Sequence, residues 1–228
     1  MNTKIVNFIG QPGAGKSTLA ALVFAKLKLL GINTENVYEY AKKLTWHDRQ
    51  HQLKCQPLIF GKQLNEIEQL LGKVDVILTD SPVIMSAIYS QGRYPESFSQ
   101  AVLECYNQLP NINYFVQRTK AYNPAGRTQT EQESDELGVK MLDFLKGAGV
   151  KYEVTESSDD DAINIVNRIL TELKGRVIGL ELDTGKMIYK NDIRDYFPVA
   201  EISEKEMIYY PIDCNGQWVI TSLDNEIV

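Results

Sequence analysis

Positions 10 to 17 read GQPGAGKS, and this run constrains the chain more than any other, because it requires a strand ahead of it and a helix behind it. The flanks comply. Lys4 to Ile9 is rich in β-branched residues without clear alternation, as expected of a parallel strand covered on both faces. Ser17 to Leu30 carries apolar residues at helical spacing and stops at Gly31. Between them, glycines let successive backbone N–H groups turn inward on an anion, and the helix points its positive end at the same place. The predicted cradle is Gly10, Gln11, Pro12, Gly13, Ala14, Gly15, Lys16, Ser17 and Thr18. Lys16 is expected to reach the β and γ phosphates of ATP, and the Ser17 hydroxyl to ligate Mg²⁺.

Beyond the loop, strands and helices alternate, which predicts a three-layer α/β P-loop NTPase fold with a parallel sheet and helices on both faces. Asn36 to Tyr40 reads as a short second strand, Lys42 to Leu71 as mostly helical with a break near Pro57, and Val74 to Leu78 as a buried central strand. Helices are predicted over Val83 to Ser90 and Phe98 to Gln108, then a strand over Ile112 to Val116. The polar stretch Gln117 to Ser134 reads as an active-site loop. A helix over Glu136 to Lys146, a short strand over Lys151 to Val154 and an amphipathic helix over Asp159 to Leu173 follow. At Gly175 the texture changes to short β-rich runs around turn signals at Asp183 to Gly185 and Asn215 to Gly216. The expected division is a P-loop domain over residues 1–174 and a small β-rich segment over 175–228.

Composition narrows the partners. The 228 residues are 43% hydrophobic and 24% charged, an ordinary globular balance. A net charge of -6 disfavours sequence-blind binding of duplex nucleic acid and leaves room only for a local basic groove. Cys55, Cys105 and Cys214 fit neither a disulfide framework nor a C-x-x-C metal site, so reduced thiols and a cytoplasmic setting are expected. The N-terminal apolar run is too short for a signal-peptide core or a membrane span. His47 and His51, four apart without further ligands, read as a solvated helix face.

Several side chains are candidates for the chemistry around an ATP γ-phosphate. Asp80 follows the Val74 to Leu78 strand, on the sheet edge where ligands bind, and is placed to hold Mg²⁺ directly or through water. Glu39, in VYEYAKK at the end of the second strand, is a candidate proton acceptor for an attacking hydroxyl. Gln63 offers one amide donor and one acceptor to a planar heterocycle, and Trp46 and Phe60 offer rings for stacking, although single aromatics more often belong to a core. Arg118 and Arg127, with Lys120, lie in the polar stretch, where a guanidinium brought over the transferring phosphate would neutralise its charge.

The ordered set GQPGAGKST, YEYAKK, GKQLNEIEQ, VDVILTDSP, a polar loop with Arg127, and KYEVTES resembles the nicotinamide ribonucleoside kinase domain of bifunctional NAD-biosynthesis proteins. More distantly it is similar to deoxynucleoside kinases. The resemblance spans roughly residues 1 to 173, and within it only the P-loop is specific alone. It implies an acid near the reacting hydroxyl at Glu39, a strand-end aspartate at Asp80, a helix glutamine at Gln63, and a lid arginine at Arg118 or Arg127. The segment KAYNPAGRTQTE is longer than the lids of those families, and residues 175 to 228 have no counterpart in the nicotinamide ribonucleoside kinases. The sequence also looks like bacteriophage P-loop proteins, some of which phosphorylate hydroxymethylated pyrimidines within DNA.

The expected activity is therefore γ-phosphoryl transfer from ATP·Mg²⁺ to a hydroxyl of a nucleoside- or nucleotide-like substrate. A kinase acting on DNA, at a polynucleotide end or a hydroxymethylated pyrimidine, with Lys42, Lys43 and Arg49 adding to a basic track, and a regulatory ATPase or nucleotide-switched binding protein whose polar loop contacts a protein partner are the rival readings.

Overall fold

The structure, a computed structural model, describes residues 3–47, 49–90, 92–124, 129–173, 178–181 and 186–189. Five strands form one parallel sheet: β1 (Lys4–Ile9), β2 (Thr34–Val37), β3 (Val76–Thr79), β4 (Asn111–Val116) and β5 (Glu153–Thr155). Their order is β2-β3-β1-β4-β5, so the strand that feeds the P-loop is central and pairs directly with the strand that ends beside Asp80. The register Lys4↔Val76 to Asn7↔Thr79 brings the carboxyl ends of β1 and β3 to one edge.

Alternation along β1 is invisible in the sequence because both faces are buried. Val6 and Phe8 pack with α1 (Lys16–Leu29) and α8 (Asp159–Glu172), through Leu19, Val23, Ile165 and Ile169. Ile5 and Ile9 face the other layer, made by α4 (Gln56–Glu68), α5 (Met85–Ser90), α6 (Glu96–Asn107) and α7 (Glu131–Gly147), through Ile67, Ile88, Tyr106 and Met141. Burying each such side chain stabilises the domain by about 1.5–3 kcal/mol, so the sheet is clamped on both sides and its carboxyl edge is left for ligands.

Three boundaries differ from expectation for local reasons. The stretch 42–71 is not one broken helix but α2 (Tyr40–Trp46), the four-residue α3 (Gln50–Leu53) and α4. Pro57 lies in the first turn of α4, where a missing N–H is harmless, so it starts a helix rather than interrupting one. The second strand ends at Val37, and Glu39 is the N-cap of α2 rather than a strand residue. Helix α7 begins at Glu131 instead of Glu136 because Thr130 and Glu133 form a reciprocal capping box.

Past residue 173 the described residues form one antiparallel pair, β6 (Ile178–Glu181) with β7 (Lys186–Tyr189), on either side of the turn expected at Asp183 to Gly185. That turn and the one at Asn215 to Gly216 lie outside the described residues. Among the described residues no helix is long and apolar enough to cross a membrane.

Candidate active site

A cavity of about 580 Å³ opens at the carboxyl edge of the sheet. One end is the P-loop, through Gly10, Pro12, Gly13, Gly15, Lys16, Ser17 and Thr18. The loop passes hard against its neighbours. Gly10 has φ +154, and a Cβ there would sit 2.6 Å from the Val116 carbonyl oxygen at the end of β4. Gly15 has φ +95, and its Cβ would meet Ser157 Oγ at 2.4 Å. Of the nine expected cradle residues, Ala14 instead packs in the core and Gln11 is turned toward α7, beside Gly138. The Ser134 hydroxyl of α7 also donates to the Pro12 carbonyl at 2.8 Å.

The phosphate pole is electropositive by construction. Helix α1 starts at Lys16 with no side-chain cap and no acid in its first turn, so its N–H groups remain for an anion. Lys16 Nζ donates to the carbonyls of Gly10 at 2.7 Å and Gln11 at 3.1 Å, which holds the ammonium inside the loop. The Ser17 hydroxyl donates to Asp80 Oδ2 at 2.5 Å. A hydroxyl and a carboxylate oxygen at that spacing are the hard donors that Mg²⁺ takes while keeping most of its waters, so the residues fit the cation expected at Ser17 and Asp80.

Glu39 lies across the same space. It caps α2 through its backbone alone, since its side chain makes no cap hydrogen bond, and it lines the cavity. Burial lifts its carboxyl above the ordinary value of 4.5; Lys16 pulls it down, Asp80 pushes it up and Lys42 pulls it down, and the net direction is upward. Tyr89, on α5, shares the wall, and its hydroxyl is raised by desolvation and by the charge on Glu39.

The far end of the cavity is built from α2, α3, α4 and α5: Trp46, Leu53, Gln56, Ile59, Gln63 and Met85. Trp46 lines the cavity and is 69% exposed, so it is not committed to the core. Gln63 is 2% exposed, and both ends of its amide are engaged: Oε1 accepts from the Tyr40 N–H and Nε2 donates to Thr79 Oγ1, each at 3.3 Å. It ties α4 to the start of α2 and the end of β3, and so positions Glu39 one residue before Tyr40.

Two more expected site residues lie elsewhere. Phe60 is absent from the cavity wall; it packs against the core and meets Phe98 edge-on, with centroids 6.1 Å apart. It lies one residue past Ile59, which turns it about 100° away from the face of α4 that lines the site. Arg118 forms ion pairs with Glu131 at 3.2 Å and Asp135 at 2.5 Å, and stacks over Tyr122. The earlier start of α7 places both carboxylates one turn apart next to it, so Arg118 braces β4 to α7 and does not line the cavity. Arg127 falls outside the described residues. Among the described residues of the polar stretch, Gln129 reaches the cavity, and its carbonyl accepts from the Tyr122 hydroxyl at 2.5 Å.

Sequence reasoning missed Gln56, Tyr89 and Gln129 as cavity residues. For Gln56 a signal existed: Gln56, Ile59, Gln63 and Ile67 form one helical face of α4, and all four are buried. For Tyr89 and Gln129 the chain offers no pattern, because their place depends on how α5 and the end of the polar stretch pack around Glu39 and the loop.

The sheet order, the glycine loop and the Ser17–Asp80 pair together define a P-loop nucleotide-binding α/β protein. Within that class the sequence profile of the AAA domain family matches residues 5–160, and the chain belongs to this family. No curated protein sequence matches it significantly. Among solved structures the chain is similar to deoxyadenosine kinase from M. mycoides with bound dATP, at 20% sequence identity, covering 75% of this chain and 99% of that one, with a TM-score of 0.45.

Proposed function

We propose that the chain is a kinase that moves the γ-phosphoryl group of ATP·Mg²⁺ to a hydroxyl of a nucleoside- or nucleotide-like acceptor. The observation that carries this reading is Glu39: a carboxylate with a raised pKa, unused by its own helix cap, facing the same cavity as Lys16 and Asp80. A base poised above the ordinary carboxylate range is suited to taking a hydroxyl proton near neutral pH. The cavity also continues past Glu39 into an apolar end, and its volume suits a small molecule in addition to a phosphate chain. A nucleotide switch that only hydrolyses ATP also needs a group to position its water, but it needs no further cavity beyond that group for an acceptor.

In this reading bound ATP·Mg²⁺ supplies the transferable phosphoryl group. Lys16 and the N–H groups of the loop and α1 balance its charge, and Ser17 and Asp80 hold the cation. Glu39 orients the acceptor hydroxyl and receives its proton, and Gln63 keeps Glu39 in place through Tyr40. Incubation with γ-labelled ATP and pools of nucleosides, nucleotides and oligonucleotides tests the reading. Label should move to one pool, with ATP turnover much slower when no acceptor is present; equal turnover with every pool and with none would refute it.

A second reading, a DNA acceptor, is favoured by one specific observation. A second cavity of about 330 Å³ adjoins the first across Ser17, Glu39 and Asp80, and carries Phe24, Tyr38, Trp46, Lys42 and Lys43. Tyr38 is 62% exposed, and rings beside cations suit a neighbouring base and phosphate of a strand whose reacting residue occupies the main cavity. Oligonucleotide affinity should then fall with a linear log–log dependence on salt, and a salt-insensitive acceptor would exclude this variant.

A further inference from the structure

Ser134 and Gly138 stand one turn apart on a single face of α7, and both meet the crest of the P-loop. The Ser134 side chain is fully buried, and its hydroxyl donates to the Pro12 carbonyl at 2.8 Å. Beside Gly138 lies the Gln11 amide, so close that an added Cβ would come within 2.9 Å of Gln11 Oε1. The Gln11 carbonyl, one peptide before that of Pro12, accepts from the Ala14 N–H at 3.2 Å and from Lys16 Nζ at 3.1 Å. The crest that α7 holds is therefore the same backbone that holds the phosphate-binding lysine.

A neighbouring face of α7 carries Glu131 and Asp135, also one turn apart, and both pair with Arg118, two residues past the end of β4. Asp135 follows Ser134 directly, so the clamped side and the loop-bearing side are about 100° apart around the helix axis. Val116, the last residue of β4, backs the loop at Gly10, and Arg118 closes the frame between that strand and α7. Its side chain is 10% exposed and stacks over Tyr122, whose hydroxyl donates to the Gln129 carbonyl next to the Thr130 cap. The guanidinium thus restrains the first two turns of α7 against rolling. Side chains lie about 5 Å from a helix axis, so a roll of about 10° moves the Ser134 hydroxyl by about 0.9 Å. A roll away from the loop would stretch its 2.8 Å bond to Pro12 beyond hydrogen-bonding range.

We propose that Arg118 is a positioning residue for the phosphate site: it acts on the triphosphate without touching it, through α7, and Ser134 is the contact that passes its clamp on to Pro12, Gln11 and Lys16. This gives a role to the arginine that the sequence offers as a lid and that the fold keeps out of the cavity. It rests on the ATP-binding part of the kinase reading and not on phosphorylation of any acceptor.

The test measures, by calorimetry on the whole chain, the affinity for Mg²⁺·ATP and for Mg²⁺·tripolyphosphate in the wild type, Arg118→Ala, Ser134→Ala and the double variant. Each single substitution should raise Kd for both ligands by about 3- to 10-fold. Because the two residues act along one path, the double variant should bind about as weakly as the weaker single variant. Independent effects would instead multiply, to about 10- to 100-fold. Should Arg118→Ala fail to fold, Glu131→Gln combined with Asp135→Asn opens the same clamp at two exposed carboxylates, and it should weaken both ligands alike. A loss confined to ATP would mean that Arg118 meets the nucleoside, and lost turnover at unchanged Kd would make it a charge over the transferring phosphate. A lower Tm at unchanged Kd would make it a brace of the fold alone. Each of these results, like multiplied losses in the double variant, would overturn the proposal. A wild type that binds neither ligand would overturn it together with the P-loop reading, whereas ATP binding without any phosphorylated acceptor would remove the kinase reading and leave the predicted affinities as the deciding result.

Discussion

Gly15→Ala is the substitution whose effect can be worked most directly from the geometry. The added Cβ meets two penalties. At φ +95 an alanine is strained by about 1–2 kcal/mol, because its Cβ crowds the backbone in the left-handed region. The same Cβ would lie 2.4 Å from Ser157 Oγ and 2.5 Å from Ser157 Cβ. A hydroxyl can rotate away, but a Cβ moves only with its backbone, and Ser157 is 6% exposed and immediately precedes Ser158, the N-cap of α8. Overpacking of that kind adds about 1–3 kcal/mol, for a total of about 2–5 kcal/mol. For a chain of this size each kcal/mol shifts Tm by about 2–4 °C, so the protein should melt roughly 4–20 °C lower. Thermal unfolding is followed by circular dichroism without nucleotide, so that lost ligand binding does not enter the readout. Ser157→Gly placed in the Gly15→Ala background should recover the packing share and leave the backbone strain. A single mutant that melts with the wild type, or a double mutant that recovers nothing, would refute the claim that the loop is wedged against the approach to α8.

Glu39→Gln should lower turnover by about 10² to 10⁴ with nucleotide affinity retained. Because the folded Glu39 holds its proton more tightly than the unfolded chain does, the wild type should lose stability as pH rises from about 4.5 through the raised value; Glu39→Gln should remove that slope in melts without nucleotide. Ser17→Ala and Asp80→Asn should each raise the Mg²⁺ concentration for half-maximal activity by about 10- to 100-fold, and an unchanged titration would remove the pair from the cation site. Phe60→Leu should cost about 1–2 kcal/mol, through the lost edge contact with Phe98, and leave the acceptor KM within about twofold; a large KM change with unaltered Tm would restore Phe60 to the site. Ser158→Ala should destabilise the fold by about 0.5–2 kcal/mol. Burial works against the Asp161 carboxylate, but hydrogen bonds from Ser158, Thr155 and the backbone more than offset it, so its pKa lies below 3.8. The stability this gives is present above pH 3.8 and lost as pH falls through the folded value, and Ser158→Ala should reduce that acid-side loss.

The sequence by itself determined the parts of this protein whose physics is local. The glycine loop, the strand before it and the helix after it were legible because backbone freedom, an inward lysine and a helix start must be adjacent in the chain to cradle an anion. Asp80 was legible for a related reason, since an acid after a short apolar strand falls on the carboxyl edge wherever the strand sits in a parallel sheet. The tertiary structure decided what depends on the relative placement of separate elements. It set β3 directly beside β1 and so joined Ser17 to Asp80, residues 63 apart in the chain. It took Arg118 for α7 once a capping box lengthened that helix, and engaged Gln63 internally. No periodicity announces such choices, because whether a polar side chain meets substrate, core or another side chain depends on which partner the folded chain brings within about 3 Å of it.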